Sequence, residues 1–370
     1  MSAMPAPTAK PRLAMYWAAS CGGCDIAVLN INERILEVDA AFDVVFWPAV
    51  MDAKYADVVA MPDASIDLTL FSGGIRSDEN EELAHLLRRK SKTLVAFGSC
   101  ATEGCIPGLA NLSTVQQIFD ASYEGETTDN PDRLRPVPAF AAPEGELTIP
   151  AFLSVLRTLD QVVDVDYYVP GCPPESGRIA EVVGLVIEAL AGRASLPARG
   201  SVLGAGRSTC CDECSRERNV KRIDRFVRIQ DVATIDPVLC LLEQGIPCNG
   251  PATRDGCGAL CPAASAPCIG CYGPADGVVD YGARLLSAFS SVINATEPAD
   301  IERVLDGIPD PVGQIYRFSL ARSLLGGSRA ALGVRAAKAA TPVGSAAPTS
   351  PPDNPAPPES ALVGAGGTDR

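Results

Sequence analysis

The sequence predicts an α/β protein with a doubly wound, mostly parallel sheet, followed by a loop-rich domain that is dense in cysteine. Two observations support this fold class. Short apolar runs alternate with segments of helical periodicity in the first half of the chain, as in strand–helix–strand units. Nine of the 14 cysteines then fall within residues 210–271, where regular periodic segments are few. We therefore expect an α/β domain at residues 1–195 and a cysteine-dense domain at residues 196–327.

The elements of the α/β domain follow in order from these patterns. Residues 13–17 form an apolar strand, a cysteine loop follows at residues 20–24, and apolar residues then recur at helical spacing. Acidic residues after Ser77, and two prolines before Glu175, are typical of helix starts. Further strands are expected at residues 44–47, 68–71, 93–97 and 163–169, and further helices at residues 77–90 and 175–191.

Four cysteines follow predicted strands. Cys21 and Cys24 come after the first strand, Cys100 after the strand at residues 93–97, and Cys172 after the last strand. Because ligands of parallel sheets bind outside the carboxyl ends of the strands, we expect these thiols to converge at one edge. Neither GxGxxG nor GxxxxGK[ST] is present, so this edge is not built for a dinucleotide or a nucleoside triphosphate.

The composition excludes several classes of function. With 45 acidic and 31 basic side chains, the net charge of −14 is unfavourable for binding nucleic acid or an anionic membrane surface. His85 is the only histidine, so histidine-ligated zinc, Ser-His-Asp catalysis and haem ligation would all depend on one side chain. We expect His85 to be a partly buried structural residue on its helix.

The chain is expected to be cytoplasmic, with peripheral association with a membrane left open. Residues 1–12 contain no twin-arginine pair or apolar signal region, and no stretch approaches the roughly 18 apolar residues of a membrane span. Cysteines remain thiols in a reducing compartment, so 14 of them in CxxC-like groups favour metal or cluster ligation over disulfides. Residues 328–370 are rich in alanine, proline and glycine and lack cysteine, which predicts a disordered tail.

The cysteines divide into three sets of four, with Cys105 and Cys210 left over. The sets are Cys21, Cys24, Cys100 and Cys172; Cys211, Cys214, Cys240 and Cys248; and Cys257, Cys261, Cys268 and Cys271. Iron–sulfur clusters are held by such mixtures of CxxC pairs and distant partners. Structural zinc also uses four cysteines, and the basic residues within 207–228 leave a nucleic-acid-binding zinc ribbon as an alternative. A zinc ribbon does not explain the set at the sheet edge.

Five segments, in the same order along residues 13–322, resemble the small, electron-transferring subunit of nickel-iron hydrogenases. They are Ser-Cys-Gly-Gly-Cys at 20–24, Gly-Ser-Cys-Ala at 98–101, Pro-Gly-Cys-Pro-Pro at 170–174, Cys-Asn-Gly-Pro at 248–251 and Pro-Cys-Ile-Gly-Cys at 267–271. Without a twin-arginine signal or a C-terminal membrane helix, the chain is most similar to the cytoplasmic, group 2-like uptake hydrogenases and to the sensor hydrogenases.

This resemblance implies a flavodoxin-like domain with a proximal cluster, and a second domain with medial and distal clusters, each 4Fe-4S or 3Fe-4S. By motif, the first set matches the proximal ligands, the second the distal ligands and the third the medial ligands. Cys211 stands where many relatives have a histidine, and Cys261 lies near the place where many have a proline. We expect both to be ligands, which gives the medial site four thiols. Cys105 falls where some oxygen-tolerant relatives carry an additional proximal cysteine.

The function that the resemblance implies is electron relay. The chain would carry electrons from hydrogen, oxidised at the nickel-iron centre of a large subunit, through three iron–sulfur clusters to a quinone or a redox protein. The chain itself would break no bonds. The expected assembly is a higher oligomer of heterodimers, without nucleic acid and without a membrane-spanning segment. A regulatory subunit that senses hydrogen is the first alternative, and the zinc-ribbon module is the second.

Overall fold

The structure of the chain is a computed structural model that describes residues 10–220 and 222–327. These residues belong to one compact unit, so the domain boundary expected near residue 195 stays a prediction. The tail predicted to be disordered, residues 328–370, lies outside the described residues.

The main feature of the described chain is a six-stranded sheet in which all strands are parallel. The strands of the structure are β1 (Arg12–Trp17), β2 (Asp43–Phe46), β3 (Ile66–Ser72), β4 (Ile75–Ser77), β5 (Ser91–Phe97), β6 (Ala139–Ala142), β7 (Gly145–Thr148), β8 (Phe152–Arg157), β9 (Tyr167–Val169) and β10 (Ser201–Val202). The sheet order is β10-β9-β5-β3-β1-β2, which confirms the predicted fold class. The order reverses between β1 and β3, the place where such sheets bind ligands.

Helices cover both faces of this sheet and continue beyond it. They are α1 (Gly23–Leu29), α2 (Ile35–Ala41), α3 (Tyr55–Ala60), α4 (Asp78–Lys90), α5 (Ser99–Glu103), α6 (Val115–Tyr123), α7 (Ser176–Leu190), α8 (Cys210–Glu213), α9 (Leu260–Ala263), α10 (Tyr281–Ser290), α11 (Pro298–Leu305) and α12 (Pro311–Tyr316). Caps explain two of the predicted starts. Ser77 Oγ accepts a hydrogen bond from Asn80 N over 3.2 Å, and the Glu175 carboxylate accepts one from Arg178 N over 3.1 Å.

Side chains alternate across the sheet and so build two apolar cores. On β1, Leu13 and Met15 pack with residues of α1 and α7, whereas Ala14 and Tyr16 pack with residues of α4 on the opposite face. A third core surrounds Leu285 of α10 and contains three cysteines of the cysteine-dense region. Three of the cysteine thiols therefore lie in a packed, water-poor interior.

Three sequence expectations differ from the structure. The strand expected at residues 163–169 is reduced to β9, because the chain turns before it and Val163 N donates to Leu159 O over 3.0 Å. The cysteine-dense region ends in α10, α11 and α12, which the sparse periodicity did not reveal. His85 is exposed on α4, since the buried positions of that helix are taken by its leucines, by Ala84 and by polar residues at its two ends.

The short strand β9 is held in the sheet by the buried carboxylate of Asp166, the residue before it. Asp166 Oδ2 accepts hydrogen bonds of 2.8 Å from Arg88 Nη1 and from Leu94 N on β5. Arg199 pairs with the other oxygen, Oδ1. The Asp166 side chain is only 5% exposed, so its loss would leave buried donors without a partner.

Replacing Asp166 by alanine is expected to lower the free energy of unfolding by about 3 kcal/mol, because one member of a buried ion pair is removed. Asp164→Ala, two residues away at an exposed position, should change it by less than about 0.5 kcal/mol. Denaturant unfolding of the two variants measures the difference, and equal losses would contradict the role assigned to Asp166.

Candidate metal centre

The first thiol group lies where β1, β5 and β9 end at one edge of the sheet. This proximal group consists of Cys21, Cys24, Cys100 and Cys172. Burial raises the pKa of Cys24, and the charges of Cys100, Cys172 and Cys21 raise it further. Cys24 and Cys100 are buried, Cys172 is half-buried and Cys21 is exposed. The four cysteines expected at one edge are thus neighbours in the structure.

These loops can meet because a glycine lies between them. Gly98, with a φ of 82°, ends β5 in a conformation that favours glycine, and a Cβ at this position would overlap Cys24 Sγ. Gly98 N donates to Val169 O and Ser99 N donates to Gly171 O, each over 2.7 Å. The turn after β5 is therefore hydrogen-bonded to the end of β9 and is in close contact with the cysteine loop that follows β1.

The buried carboxylate of Asp25 holds the start of α1 in place. Trp47 Nε1 donates to Asp25 Oδ1 over 2.9 Å, and Ser72 Oγ donates to Asp25 Oδ2 over 3.3 Å. Burial raises the pKa of Asp25, against the opposing effect of these two hydrogen bonds. The position of Cys24 is thereby tied to the ends of β2 and β3.

The second thiol group lies in the cysteine-dense region around α8. This distal group consists of Cys211, Cys214, Cys240 and Cys248, which line one small cavity together. Burial and the charge of Cys240 raise the pKa of Cys211 to about 12, although the Arg218 guanidinium opposes this shift. Burial and the charge of Cys268 likewise raise the pKa of Cys248 to about 12.

A buried arginine holds the loops around the distal group. Arg216 Nε donates to Pro262 O over 2.8 Å, and its Nη1 donates to Asp236 O over 2.6 Å and to Leu239 O over 2.8 Å. Its Nη2 donates to Ser265 Oγ over 2.8 Å. This one guanidinium, in the basic stretch that suggested a nucleic-acid surface, instead ties together three segments of the chain.

The third thiol group lies between the other two. This medial group consists of Cys257, Cys261, Cys268 and Cys271. Burial, followed by the charges of Cys268, Cys257 and Cys261, raises the pKa of Cys271 to about 12. Cys268 is buried with its Sγ 3.4 Å from Thr253 Oγ1, whereas Cys257 and Cys271 are half-buried and Cys261 is exposed.

The three groups adjoin one another. Cys268 N donates to Cys248 Sγ over 3.3 Å, which joins the medial group to the distal group. The charge of Cys172 acts on the pKa of Cys271, and Ser99 Oγ donates to Cys271 O, so the medial group also touches the proximal group. The thiols therefore form a continuous series from the sheet edge into the third core.

The two cysteines left over from the sets of four also lie inside these groups. Cys105 Sγ is 3.5 Å from Cys172 Sγ, and Cys210 is buried in the third core together with Cys268, with Cys257 packed against that core. The sequence left both outside the ligand sets, although the family resemblance placed Cys105 beside the proximal cysteines. The adjacency of Cys210 and Cys211 could have indicated that the two cysteines belong to different thiol groups, because successive residues at the start of a helix direct their side chains to different neighbours.

The chemistry of these groups fits clusters of iron and sulfide. Crowded, buried thiols resist ionisation, and several thiolates can coexist only around cationic metal. A backbone N–H group points at a sulfur where Cys268 N donates to Cys248 Sγ. Among the described residues, no three His, Cys, Asp or Glu side chains are arranged to hold a single metal ion.

Comparisons with known proteins agree with this chemistry. The family described as "NADH ubiquinone oxidoreductase, 20 Kd subunit" matches residues 21–186. The iron-sulfur subunit of the F420-non-reducing hydrogenase of Archaeoglobus profundus is 40% identical over 85% of this chain and 97% of that relative. A subunit of the F420-non-reducing hydrogenase of Methanothermobacter marburgensis is 34% identical over 85% of this chain and 96% of that relative. The structure of an NAD+-reducing [NiFe]-hydrogenase in the H2-reduced state is 28% identical over 51% of this chain and 96% of that one, with a TM-score of 0.42.

The fold, the thiol groups and these relatives define the small subunit of a nickel-iron hydrogenase. More particularly, the chain belongs to the family that contains the iron–sulfur subunits of F420-non-reducing hydrogenases. Small subunits of nickel-iron hydrogenases carry iron–sulfur clusters and pair with a large subunit, so this chain is part of an oxidoreductase. No helix in the described part of the chain is long and apolar enough to cross a membrane.

A buried carboxylate lies one helical turn from the proximal group. Glu103 ends α5, the helix that contains Cys100, and it is 8% exposed. Burial raises the pKa of Glu103 to about 7, although the charges of Arg322 and Arg254 oppose the shift, and Asp160 adds to it. The native state therefore binds a proton at Glu103 at pH values where the unfolded chain has released it.

This raised pKa predicts a loss of stability as the pH rises. The contribution of the protonated carboxyl is complete below the unfolded pKa of 4.5 and is lost as the pH passes about 7, a difference of about 3 kcal/mol. Glu103→Gln, which cannot ionise, is expected to flatten that part of the curve, whereas Glu82→Gln at an exposed position should not. Thermal unfolding of the purified complex at pH 5 and pH 8 measures the slope, and an unchanged slope in Glu103→Gln would contradict the assignment.

Proposed function

We propose that this chain carries electrons from hydrogen, oxidised in the large subunit, through three iron–sulfur clusters to an acceptor. The observation that supports this most is the continuous series of thiol groups, in which Cys172 lies near Cys271 and Cys268 N donates to Cys248 Sγ. When bound, iron–sulfur clusters supply one-electron redox chemistry. The residues of this chain bury the sulfurs, space the groups and direct N–H donors at them.

The proposed ligands are the twelve cysteines of the three groups. The proximal cluster is held by Cys21, Cys24, Cys100 and Cys172, the medial cluster by Cys257, Cys261, Cys268 and Cys271, and the distal cluster by Cys211, Cys214, Cys240 and Cys248. Cys261 gives the medial site a fourth thiol, which suits four irons rather than three. Cys211, in place of a histidine, adds negative charge at the distal site and so lowers the reduction potential there.

The proximal end of the series is proposed to face the large subunit. Cys21 is exposed there, and Trp17 and Ile26 nearby are 46% and 57% exposed. Exposed apolar side chains around a ligand thiol are typical of a surface that a permanent partner covers. Electrons would enter the chain at this end, because the proximal group, at the sheet edge, is the thiol group that would lie nearest the large subunit.

The distal end is proposed to face the acceptor. A groove of about 450 Å³ lies beside the distal group, and Cys211, Cys240 and the exposed Arg218 and Arg284 line it. Glu243 also lines this groove, but its carboxylate accepts two backbone N–H groups. The two guanidinium groups favour an acidic redox protein as the acceptor over a quinone. The relatives are named F420-non-reducing hydrogenases, and we propose that F420 is not the electron acceptor of this chain either.

The cellular setting follows from the same proposal. We place the chain in the cytoplasm, in a higher oligomer of heterodimers that takes up hydrogen. A sensing subunit would share this architecture, and the rate of hydrogen-dependent dye reduction by the purified complex separates the two. Rapid turnover supports uptake, whereas slow turnover with binding to a signalling kinase supports sensing.

Cys24→Ser and Cys210→Ser test the ligand assignment as a matched pair. The unmodified complex is expected to hold about 9 to 12 irons in this chain, from three clusters of three or four irons. Cys24→Ser should lose about one cluster of iron and abolish hydrogen-dependent dye reduction, because the entry cluster loses a ligand. Cys210→Ser, at a buried thiol outside the ligand sets, should keep both.

Anaerobic metal analysis and dye reduction on the purified complex give the two readouts. Zinc with negligible iron in the unmodified protein would refute the electron-relay proposal altogether. Equal and severe losses in both variants would instead refute the division of cysteines into ligands and non-ligands.

A further inference from the structure

A long segment between α5 and the end of β8 contributes no buried residue to any core. None of residues 112–155 is buried, although this segment contains α6, the hairpin of β6 and β7, and the start of β8. Every residue of the two hairpin strands except Ala142 is exposed. Because an isolated two-stranded hairpin is only marginally stable in water, this hairpin needs a further surface to pack against.

One face of this hairpin is entirely apolar. Phe140 of β6 lies opposite Leu147 of β7, and Ile149 N donates to Pro138 O over 3.2 Å, which extends the pairing by one step. Side chains alternate along each strand, so one face carries every second residue. This apolar hairpin face consists of Pro138, Phe140, Ala142, Gly145, Leu147 and Ile149. Phe140 and Leu147 are each 61% exposed and Ile149 is 50% exposed, and apolar side chains grouped in this way mark an interaction site.

The segment begins beside the proximal group. Cys105, whose Sγ is 3.5 Å from Cys172 Sγ, is followed directly by a short 3-10 helix, Ile106–Leu112, which leads into the segment. Ile106 is itself exposed. The apolar surface around the proximal group therefore continues toward the hairpin.

The segment also ends beside the proximal group. It leads into β8, which pairs with β4 so that Arg157 lies opposite Ile75. Gly74, the residue before β4, exchanges two backbone hydrogen bonds with Ala19, which is two residues before Cys21. Both ends of the segment are thus next to the surface proposed to face the large subunit.

The charge of the segment indicates the kind of partner that it fits. Residues 112–155 contain seven acidic and two basic side chains, a net charge of −5. Glu144 lies in the turn of the hairpin, Glu146 precedes Leu147, and both glutamates are exposed. Two copies of this segment would repel each other, because like charges that face across an interface are unfavourable. A partner with basic side chains around an apolar groove is complementary to it.

We propose that the apolar hairpin face is a docking surface for the nickel-iron large subunit, which would hold Phe140, Leu147 and Ile149 in an apolar groove with lysine or arginine at its rim. This inference rests on the proposed function, which places the large subunit at the proximal end, and it adds a second recognition element away from the thiols. Residues 112–155 contain no cysteine, so the hairpin serves assembly and not electron transfer. Burial of this face stabilises the hairpin and the pairing of the subunits together.

The first test is photochemical cross-linking in the purified hydrogenase complex, with the photoreactive residue p-benzoylphenylalanine in place of Phe140. Illumination is expected to join this position covalently to the large subunit, and mass spectrometry of the product identifies the partner. The same replacement at Thr148, whose side chain lies on the opposite face of the hairpin, is the matched control. It should give little or no adduct with the large subunit.

Leu147→Ser and Thr148→Ser measure how much the face contributes to assembly. Leu147→Ser is expected to raise the rate of subunit dissociation about tenfold, because the burial of one leucine side chain is lost. Thr148→Ser should leave this rate unchanged within about twofold. Exchange of the unlabelled large subunit for a labelled one gives both rates. Because the hairpin packs against no core, neither substitution removes a buried contact within this chain.

Three results would overturn the proposal: an adduct of position 140 with a second copy of this chain, an adduct with residues 328–370, or no protein adduct at all. Equal dissociation rates in Leu147→Ser and Thr148→Ser would also overturn it. Failure of the proposed function is seen separately. If p-benzoylphenylalanine at Trp17 gives no adduct with the large subunit, the proximal end does not face that subunit, and absence of iron would refute the electron relay.

Discussion

The arrangement of the thiols depends on one close contact, between the turn at Gly98 and the sulfur of Cys24. A side chain at Gly98 would overlap Cys24 Sγ, and the N–H of Gly98 is bonded to Val169 O at the end of β9. The ends of β1, β5 and β9 therefore meet at one point. Parallel strands bring their carboxyl ends to a common edge in any such sheet, but four sulfurs fit there only because this turn lacks a Cβ. The buried side chains of Asp25 and Asp166 hold the start of α1 and the strand β9, which lie on either side of this contact.

From this edge the thiol series passes into the third core through very few contacts. Ser99, the residue after Gly98, donates through Oγ to Cys271 O, so the turn that closes the proximal group also holds the medial one. Cys268 N then reaches Cys248 Sγ of the distal group. The medial group is thus joined to the proximal side through Cys271 O and to the distal group through Cys268 N. These short links keep the three groups together in one compact unit.

The sequence supports prediction of some of these features and not of others, for physical reasons. Cys21, Cys24, Cys100 and Cys172 could be assigned to one edge, because strand direction alone determines where the loops lie. The grouping inside the cysteine-dense region followed from CxxC spacing and from family resemblance. The family resemblance placed Cys105 beside the proximal cysteines, but the contacts of Cys105 and Cys210 could not be predicted, because they depend on a backbone with positive φ and on packing against residues more than 40 positions away. The role of Arg216 could not be predicted either, because the sequence of a basic stretch does not distinguish a buried guanidinium from an exposed one.

The most direct test of this account is an iron-edge anomalous diffraction map from crystals of the hydrogenase complex. Three separate iron-containing peaks are expected in a line within this chain, enclosed in turn by the proximal, medial and distal groups. Four cysteine sulfurs should be bonded to each, including Cys211 and Cys261, with the sulfurs of Cys105 and Cys210 outside bonding distance of iron. Fewer than three peaks, single-atom metal peaks, or iron bonded to either extra cysteine would contradict it.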